Sequence, residues 1–142
     1  MKAQQVFSQT KWICVSDDSG IEVDALEGRP GVFSARFAGE NATDEENRSL
    51  LLKCMLNEKV RTARFKTVIC LCSNHGYAFF EGVLEGSIAH ESSGLNGFGY
   101  DSIFIPLGET RTLAELTMEE KNAMSHRGIA LKKLSDYLRK MP

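Results

Sequence analysis

The 142 residues predict an α/β protein, a mixed sheet with flanking helices in the α+β sense, forming one domain over residues 1–142. Three observations carry this expectation. Two β-prone runs, residues 64–72 and 77–89, are joined by Ser73-Asn74-His75-Gly76, a good turn sequence. Thr43 with Glu46, and Thr117 with Glu120, have the spacing of capping boxes, in which a threonine hydroxyl and a glutamate carboxylate satisfy the free backbone donors of a helix start. From Ser125 onward, Ala130, Leu134, Tyr137, Leu138 and Met141 recur at helical spacing and mark a C-terminal amphipathic helix.

The elements follow in order. Ile13-Cys14-Val15 is a short β-prone run that stops at Ser16-Asp17-Asp18-Ser19-Gly20, which predicts a strand end and a polar turn. Ile21, Val23 and Ala25 alternate imperfectly with Glu22, Asp24 and Leu26 before the turn signal Gly28-Arg29-Pro30-Gly31, so a hairpin or short extended pair is expected. The first capping box precedes Leu50, Leu51, Cys54 and Met55 and predicts a helix over about residues 44–58. In the second long strand Phe80, Leu84 and Ile88 share one face while Glu81 and Glu85 share the other, so one face is buried and the other partly wet. Residues 92–100 hold three glycines and lead through Asp101 into Ile103-Phe104-Ile105, a glycine-rich loop feeding a strand. Periodicity does not order the strands.

Composition bounds the function. Apolar residues at 42% and charged residues at 25% exclude a disordered or collagen-like chain. A net charge of −2 argues against nonspecific nucleic-acid binding, which rests on clustered cations. No apolar run approaches the roughly 20 residues of a membrane-spanning helix, and residues 1–12 hold no apolar signal region. The expectation is a cytoplasmic protein with neither a nucleic-acid nor a membrane partner. Cys14, Cys54, Cys70 and Cys72 give no CxxC pair and read as reduced core thiols, with Cys70 and Cys72 on one strand face.

Several residues could carry chemistry. Asp17 and Asp18, next to Ser19 and Gly20, could hold a hard cation or polarise water, although neighbours on an extended strand point to opposite faces, so one acid acts and the other is structural. Taken alone, Asp-Asp-Ser-Gly is also a common turn composition. In Gly97-Phe98-Gly99-Tyr100-Asp101 the glycines let a ligand approach the backbone and the aromatics offer faces for stacking a base, or else fill the core at a strand entrance. Lys121, with His126 and Arg127 beside a helix start, supplies positive charge and fixed donors suited to a phosphorylated ligand. His75 and His90 look incidental.

Asp17-Asp18-Ser19-Gly20-Ile21-Glu22-Val23, the Pro30-Gly31-Val32-Phe33-Ser34-Ala35-Arg36-Phe37 run, Phe98-Gly99-Tyr100-Asp101 and Ser125-His126-Arg127 together resemble the inosine triphosphate pyrophosphatase (RdgB-like) family. Four matches in the family's order, over nearly the whole chain, make the resemblance specific. It implies a sheet split into lobes around a nucleotide cleft, a Mg²⁺ cofactor, a homodimer, and hydrolysis of non-standard purine nucleoside triphosphates such as dITP, ITP and XTP to the monophosphate and pyrophosphate. In the matching positions Asp18 resembles the acid that contacts the metal and activates water. Ser19, Phe98, Gly99, Tyr100, Asp101, Lys121, His126 and Arg127 are similar to the residues that hold base, sugar and phosphates. Arg127 or a nearby backbone N–H would donate to a 6-oxo group, a partner that an adenine amino group leaves unsatisfied.

The pattern also departs from the family. Ser102 stands where the family commonly has proline, and the Ser/Thr-Gly-Asn-x-x-Lys phosphate loop that precedes these motifs in the family has no counterpart beyond Lys2-Ala3. The chain is therefore expected to be a member without its phosphate-loop segment. Two expectations follow: a dimer, perhaps with an exchanged element covering an open sheet edge, and, as the alternative function, a non-catalytic purine-nucleotide-binding or assembly protein.

Overall fold

The computed structural model describes Lys2–Met141. Its centre is a four-stranded sheet: β1 (Cys14–Val23), β2 (Thr62–Ser73), β3 (Gly76–Ile88) and β4 (Phe104–Pro106), in the order β1-β2-β3-β4. Every pairing is antiparallel. The α/β class is as expected, but the mixed strand directions are not found. β2 and β3 are joined by the anticipated tight turn, Ser73 opposite Gly76, and a two-residue connection permits only antiparallel neighbours.

β1 corrects the expectation for the first acidic segment. Rather than ending at Ser16, the strand runs unbroken through Asp17-Asp18-Ser19-Gly20 to Val23, and all ten residues face partners in β2, from Cys14 opposite Cys72 to Val23 opposite Ala63. Of the hairpin or short extended pair expected before the Gly28–Gly31 turn, a single antiparallel bridge forms, Glu22 opposite Pro30, with Val23 N–H donating to Arg29 O at 3.2 Å, while residues 21–23 also belong to β1. The local turn preference of Asp, Ser and Gly loses to a ladder that a twelve-residue partner strand supplies.

Alternation along β1 and β2 divides the sheet into two unlike faces. One carries Ile21, Val23, Ala63, Ile69 and Leu71, all at 2% exposure or less. It is covered by α2 (Asp44–Cys54), by residues 100–116 and by α4 (His126–Lys140). Each fully buried side chain of this size contributes about 1.5–3 kcal/mol, so this face holds the fold together. The reverse face carries Asp18, Glu22, Arg64, Lys66, Glu81 and Glu85, linked by ion pairs such as Arg64–Glu85 at 3.1 Å and Lys66–Glu81 at 2.9 Å. It becomes apolar only at one end, where Cys70 and Cys72 pack under Ala3 and Phe7 of α1 (Lys2–Thr10).

α1 has no counterpart in the sequence expectations, because it buries only Ala3 and so leaves little apolar periodicity to read. The α2 capping box is formed on both sides, with Glu46 N–H donating to Thr43 Oγ1 and Thr43 N–H donating to Glu46 Oε2. The helix stops at Cys54, a turn earlier than expected. Thr117 caps α3 (Met118–Ala123) in the same way, and Ser125 caps α4. Cys54 is exposed, unlike the other three thiols. No helix of the described residues is long and apolar enough to cross a membrane.

Candidate active site

Ser19 and Thr67 are cross-strand partners on the helix-covered face, with their hydroxyl oxygens 2.7 Å apart. Thr67 is fully buried, and on its other side it pairs with Gly82 of β3. Gly82 lets α4 come down onto the sheet: a Cβ there would overlap the carbonyl oxygen of His126 and lie 2.8 Å from the backbone nitrogen of Ala130. Ser125 Oγ accepts from Gly128 N–H at 3.1 Å and starts the helix, which sets His126 and Arg127 in its first turn.

His126 Nδ1 therefore lies 2.6 Å from Thr67 Oγ1, and its ring stacks on Phe65 with centroids 5.2 Å apart and planes 10° from parallel. Burial lowers the imidazole pKa below its ordinary value, Arg127 lowers it further, and Asp101 opposes both. Arg127 donates from Nη2 to Ser19 Oγ at 3.2 Å and pairs with Asp17 at 3.0 Å.

The aromatic-glycine loop lies against the same α3–α4 corner. Asp101 and Lys121 form an ion pair at 2.7 Å with side chains only 12% and 17% exposed. Asp101 also accepts from Phe98 N–H at 3.2 Å, and the Lys121 ammonium stands 5.8 Å from the centroid of the exposed Phe98 ring. At Gly97, where φ is +84°, a side chain would meet both members of that pair. Tyr100 is buried and donates its hydroxyl to Ser34 O at 2.6 Å, and burial pushes its phenol pKa well up. Tyr100 thus anchors the loop, and Phe98 is the aromatic left free to meet a ligand.

The first turn of α2 clamps the tip of the loop. Gly99 N–H donates to Asp44 at 2.9 Å, and Arg48 donates to Gly99 O at 2.7 Å.

Ser19, His126 and Arg127 are thus joined by hydrogen bonds, with Asp101, Lys121 and Phe98 beside them. Asp18 is not in this group. Asp18, which the resemblance matches to the metal-contacting acid, faces away from Arg127 and the aromatic loop, because adjacent strand residues face opposite ways and Asp17 takes the arginine. Asp18 opens onto the reverse face, in a hollow also lined by Gly20, Glu22, Val32, Lys66 and Val68. Its side chain is 73% exposed and lies 3.9 Å from the Lys2 ammonium.

Among the described residues no three His, Cys, Asp or Glu side chains converge as a metal cluster. The donor chemistry still suits Mg²⁺, which binds through one or two carboxylates and takes its remaining oxygens from phosphates and water. Asp18 is an exposed carboxylate with only a long ion pair, at 3.9 Å from the Lys2 ammonium, to give up.

The Ham1 family profile matches residues 1–137. The chain belongs to the Ham1 family. A Ham1-family relative named dITP/XTP pyrophosphatase from Christiangramia forsetii is 46% identical over 140 residues, covering 99% of this chain and 74% of its own length. Another of that name, from Caldanaerobacter subterraneus subsp. tengcongensis, is 52% identical over 130 residues, covering 90% of this chain and 65% of its own. The solved structure of a HAM1 protein from Coxiella burnetii superposes with a TM-score of 0.93 at 45% identity, covering 99% of this chain and 74% of that one. The Staphylococcus aureus Ham1 protein gives 0.94 at 40% identity, covering 97% and 72%.

Sequence reasoning missed several residues that build this group. Thr67 had a signal, a polar residue in the apolar run Val68-Ile69-Cys70 on the face that faces inward. Gly82 had one too, a glycine inside a strand, which often marks close backbone approach. Asp44 and Arg48 act on Gly99, 55 and 51 residues further along the chain, and carry no local signal.

Proposed function

We propose that this chain hydrolyses non-standard purine nucleoside triphosphates, dITP, ITP or XTP, to the monophosphate and pyrophosphate, with Mg²⁺ as cofactor. The observation that carries the reading is the hydrogen-bonded group Arg127–Ser19–Thr67–His126 beside the buried Asp101–Lys121 pair, in a chain whose relatives are named dITP/XTP pyrophosphatases.

Phe98 and the glycine backbone of the loop would receive the base, with Gly99 held by Asp44 and Arg48. Lys121, already oriented by Asp101, would meet negative charge on the sugar-phosphate. Arg127 and Ser19 would donate to phosphate oxygens, or Arg127 to the 6-oxo group.

β1 is the edge strand of the sheet. A triphosphate passing its outer edge at Ser19 would touch Ser19 and Arg127 on one face and Asp18 on the other, so the two faces serve one substrate. Asp18 would hold Mg²⁺, whose contribution is to neutralise the triphosphate. Asp18 would also accept the proton of the water that attacks the α-phosphorus, as the bond to the bridging oxygen breaks and pyrophosphate leaves. We further propose a cytoplasmic homodimer; the apolar side chains of Trp12, Ile13 and Val15, all more than half exposed beside the β1 edge, support the association.

Incubation with dITP and Mg²⁺ tests the reading by pyrophosphate release. Turnover that exceeds an Asp18→Asn control at least 100-fold, with XTP used and dATP refused, is the expected result. Inosine monophosphate binding with no turnover would replace it by the non-catalytic alternative, which the names of the relatives do not favour.

A further inference from the structure

Thr67 belongs to none of the motifs that carry the family resemblance, yet it is the one group touching both Ser19 and His126. We propose that Thr67 is a positioning residue of the site: its single hydroxyl proton sets the direction of the hydrogen-bond chain between Ser19 and His126, and so decides which of the two offers a proton to a bound phosphate. This rests on the proposed function, with Ser19 and His126 as the substrate-holding residues that the family resemblance implies.

The accounting runs from donor inventories. Arg127 has no acceptor, so Ser19 Oγ accepts from it at 3.2 Å in every state. Thr67 is fully buried, so its hydroxyl serves the two partners at 2.7 and 2.6 Å and no water competes. It has one proton for two neighbours. When Nδ1 of His126 is bare, Thr67 donates to it and must accept from Ser19; the serine proton is consumed, and His126 offers only its Nε2–H. When Nδ1 carries a proton, His126 donates to Thr67, Thr67 donates to Ser19, and the serine proton turns outward.

Ionised phosphate oxygens accept and do not donate. The protonated ring with the outward serine therefore offers an anion two donors, where the neutral ring with a bare Nδ1 offers one. Nucleotide binding then favours protonation of His126, relayed through Thr67. The charged groups around the ring act in both directions. Arg127 of α4, paired with Asp17 of β1, opposes a charge on the ring, and Asp101, paired with Lys121 of α3, favours it. From β2 the ring meets Phe65 and Thr67, and Gly82 of β3 lies under the first turn of α4.

The test is ¹⁵N NMR of histidine-labelled protein over pH, with and without inosine monophosphate, on the wild type, Thr67→Val and Thr67→Ser. The expected result is that the nucleotide raises the His126 titration midpoint in wild type and in Thr67→Ser, while Thr67→Val shows an altered tautomer ratio and no nucleotide-linked rise. In turnover of dITP, Thr67→Val should lose about 10-fold in kcat/KM. Thr67→Ser should recover most of that loss, and Ser19→Ala with Thr67→Val should lose less than the product of the single effects. A Thr67→Val protein with wild-type tautomers and pH profile, or a Thr67→Ser protein no better than Thr67→Val, overturns the proposal. The tautomer measurement needs no turnover, so an inactive wild type would sink the proposed hydrolysis and leave the relay to stand or fall on its own spectrum.

Discussion

Gly82→Ala perturbs the site without touching a ligand-facing side chain. The added Cβ would overlap the carbonyl oxygen of His126 and sit 2.8 Å from Ala130 N, both of them backbone atoms of the first turns of α4. No rotamer change relieves a backbone overlap, so the helix start must lift from β3 by about 2 Å to restore a contact of roughly 3.5 Å. Overpacking of this kind costs about 1–3 kcal/mol. At about 2–4 °C per kcal/mol for a chain of this size, the melting temperature should fall by roughly 2–12 °C. The functional loss should be larger than the stability loss suggests. The turn that lifts carries His126 and Arg127 and would stretch their contacts of 2.6 and 3.2 Å with Thr67 and Ser19. A misplacement of about 1 Å in a reacting geometry costs on the order of 100-fold. Calorimetry and pyrophosphate release from dITP measure the two quantities. An alanine variant with wild-type melting temperature and kcat/KM would refute the claim that this glycine sets the helix position.

The remaining predictions concern groups whose partners are already paired. Lys121→Met leaves Asp101 as an uncompensated, nearly buried carboxylate and should cost about 3–5 kcal/mol by denaturant unfolding, while Lys121→Met with Asp101→Leu should recover part of it. Asn47 is buried, accepts from Ala38 N–H at 2.8 Å and donates to Ala35 O at 3.0 Å, so Asn47→Ala strands two backbone groups and should cost about 1–3 kcal/mol, read as a lower urea midpoint. Because burial holds the folded-state pKa of His126 below 6.5, the unfolded chain takes the proton first as pH falls; the stabilising contribution is complete above about pH 6.5 and is lost as pH drops toward the folded value. The melting temperature should therefore fall less steeply between about pH 7.5 and pH 5.5 in His126→Asn than in wild type, and parallel curves would contradict that sign.

How much of this was legible in the sequence follows from how local each cause is. The capping boxes at Thr43 and Thr117 and the Ser73–Gly76 turn are written within four residues and were readable as such. So was the long β2–β3 pair, whose turn fixes its register. The path of β1 was not readable, because Asp17-Asp18-Ser19-Gly20 favours a turn on its own and becomes strand only when β2 offers ten partners. α1 was not readable either, since it buries only Ala3. Lys121, His126 and Arg127 stand out as cationic groups beside a helix start and the resemblance adds Ser19 to them, but their mutual contacts are not readable, because these hydrogen bonds span up to 108 residues of chain, beyond the reach of any periodicity.

The acidic pair shows where local reasoning helps and where it stops. That Asp17 and Asp18 could not serve one face follows from strand geometry alone. Which of them meets Arg127 depends on which face α4 covers, and that was decided elsewhere, by Thr67 and Gly82 standing opposite each other in the middle of β2 and β3. A buried hydroxyl beside a missing side chain makes the one place on an apolar surface where a helix start can descend and find a hydrogen-bond partner. The descent turns Arg127 toward Asp17 and Ser19, while Asp18 faces the reverse side near Lys2. Packing between the sheet and α4 thus settles which of two chemically identical acids meets the arginine.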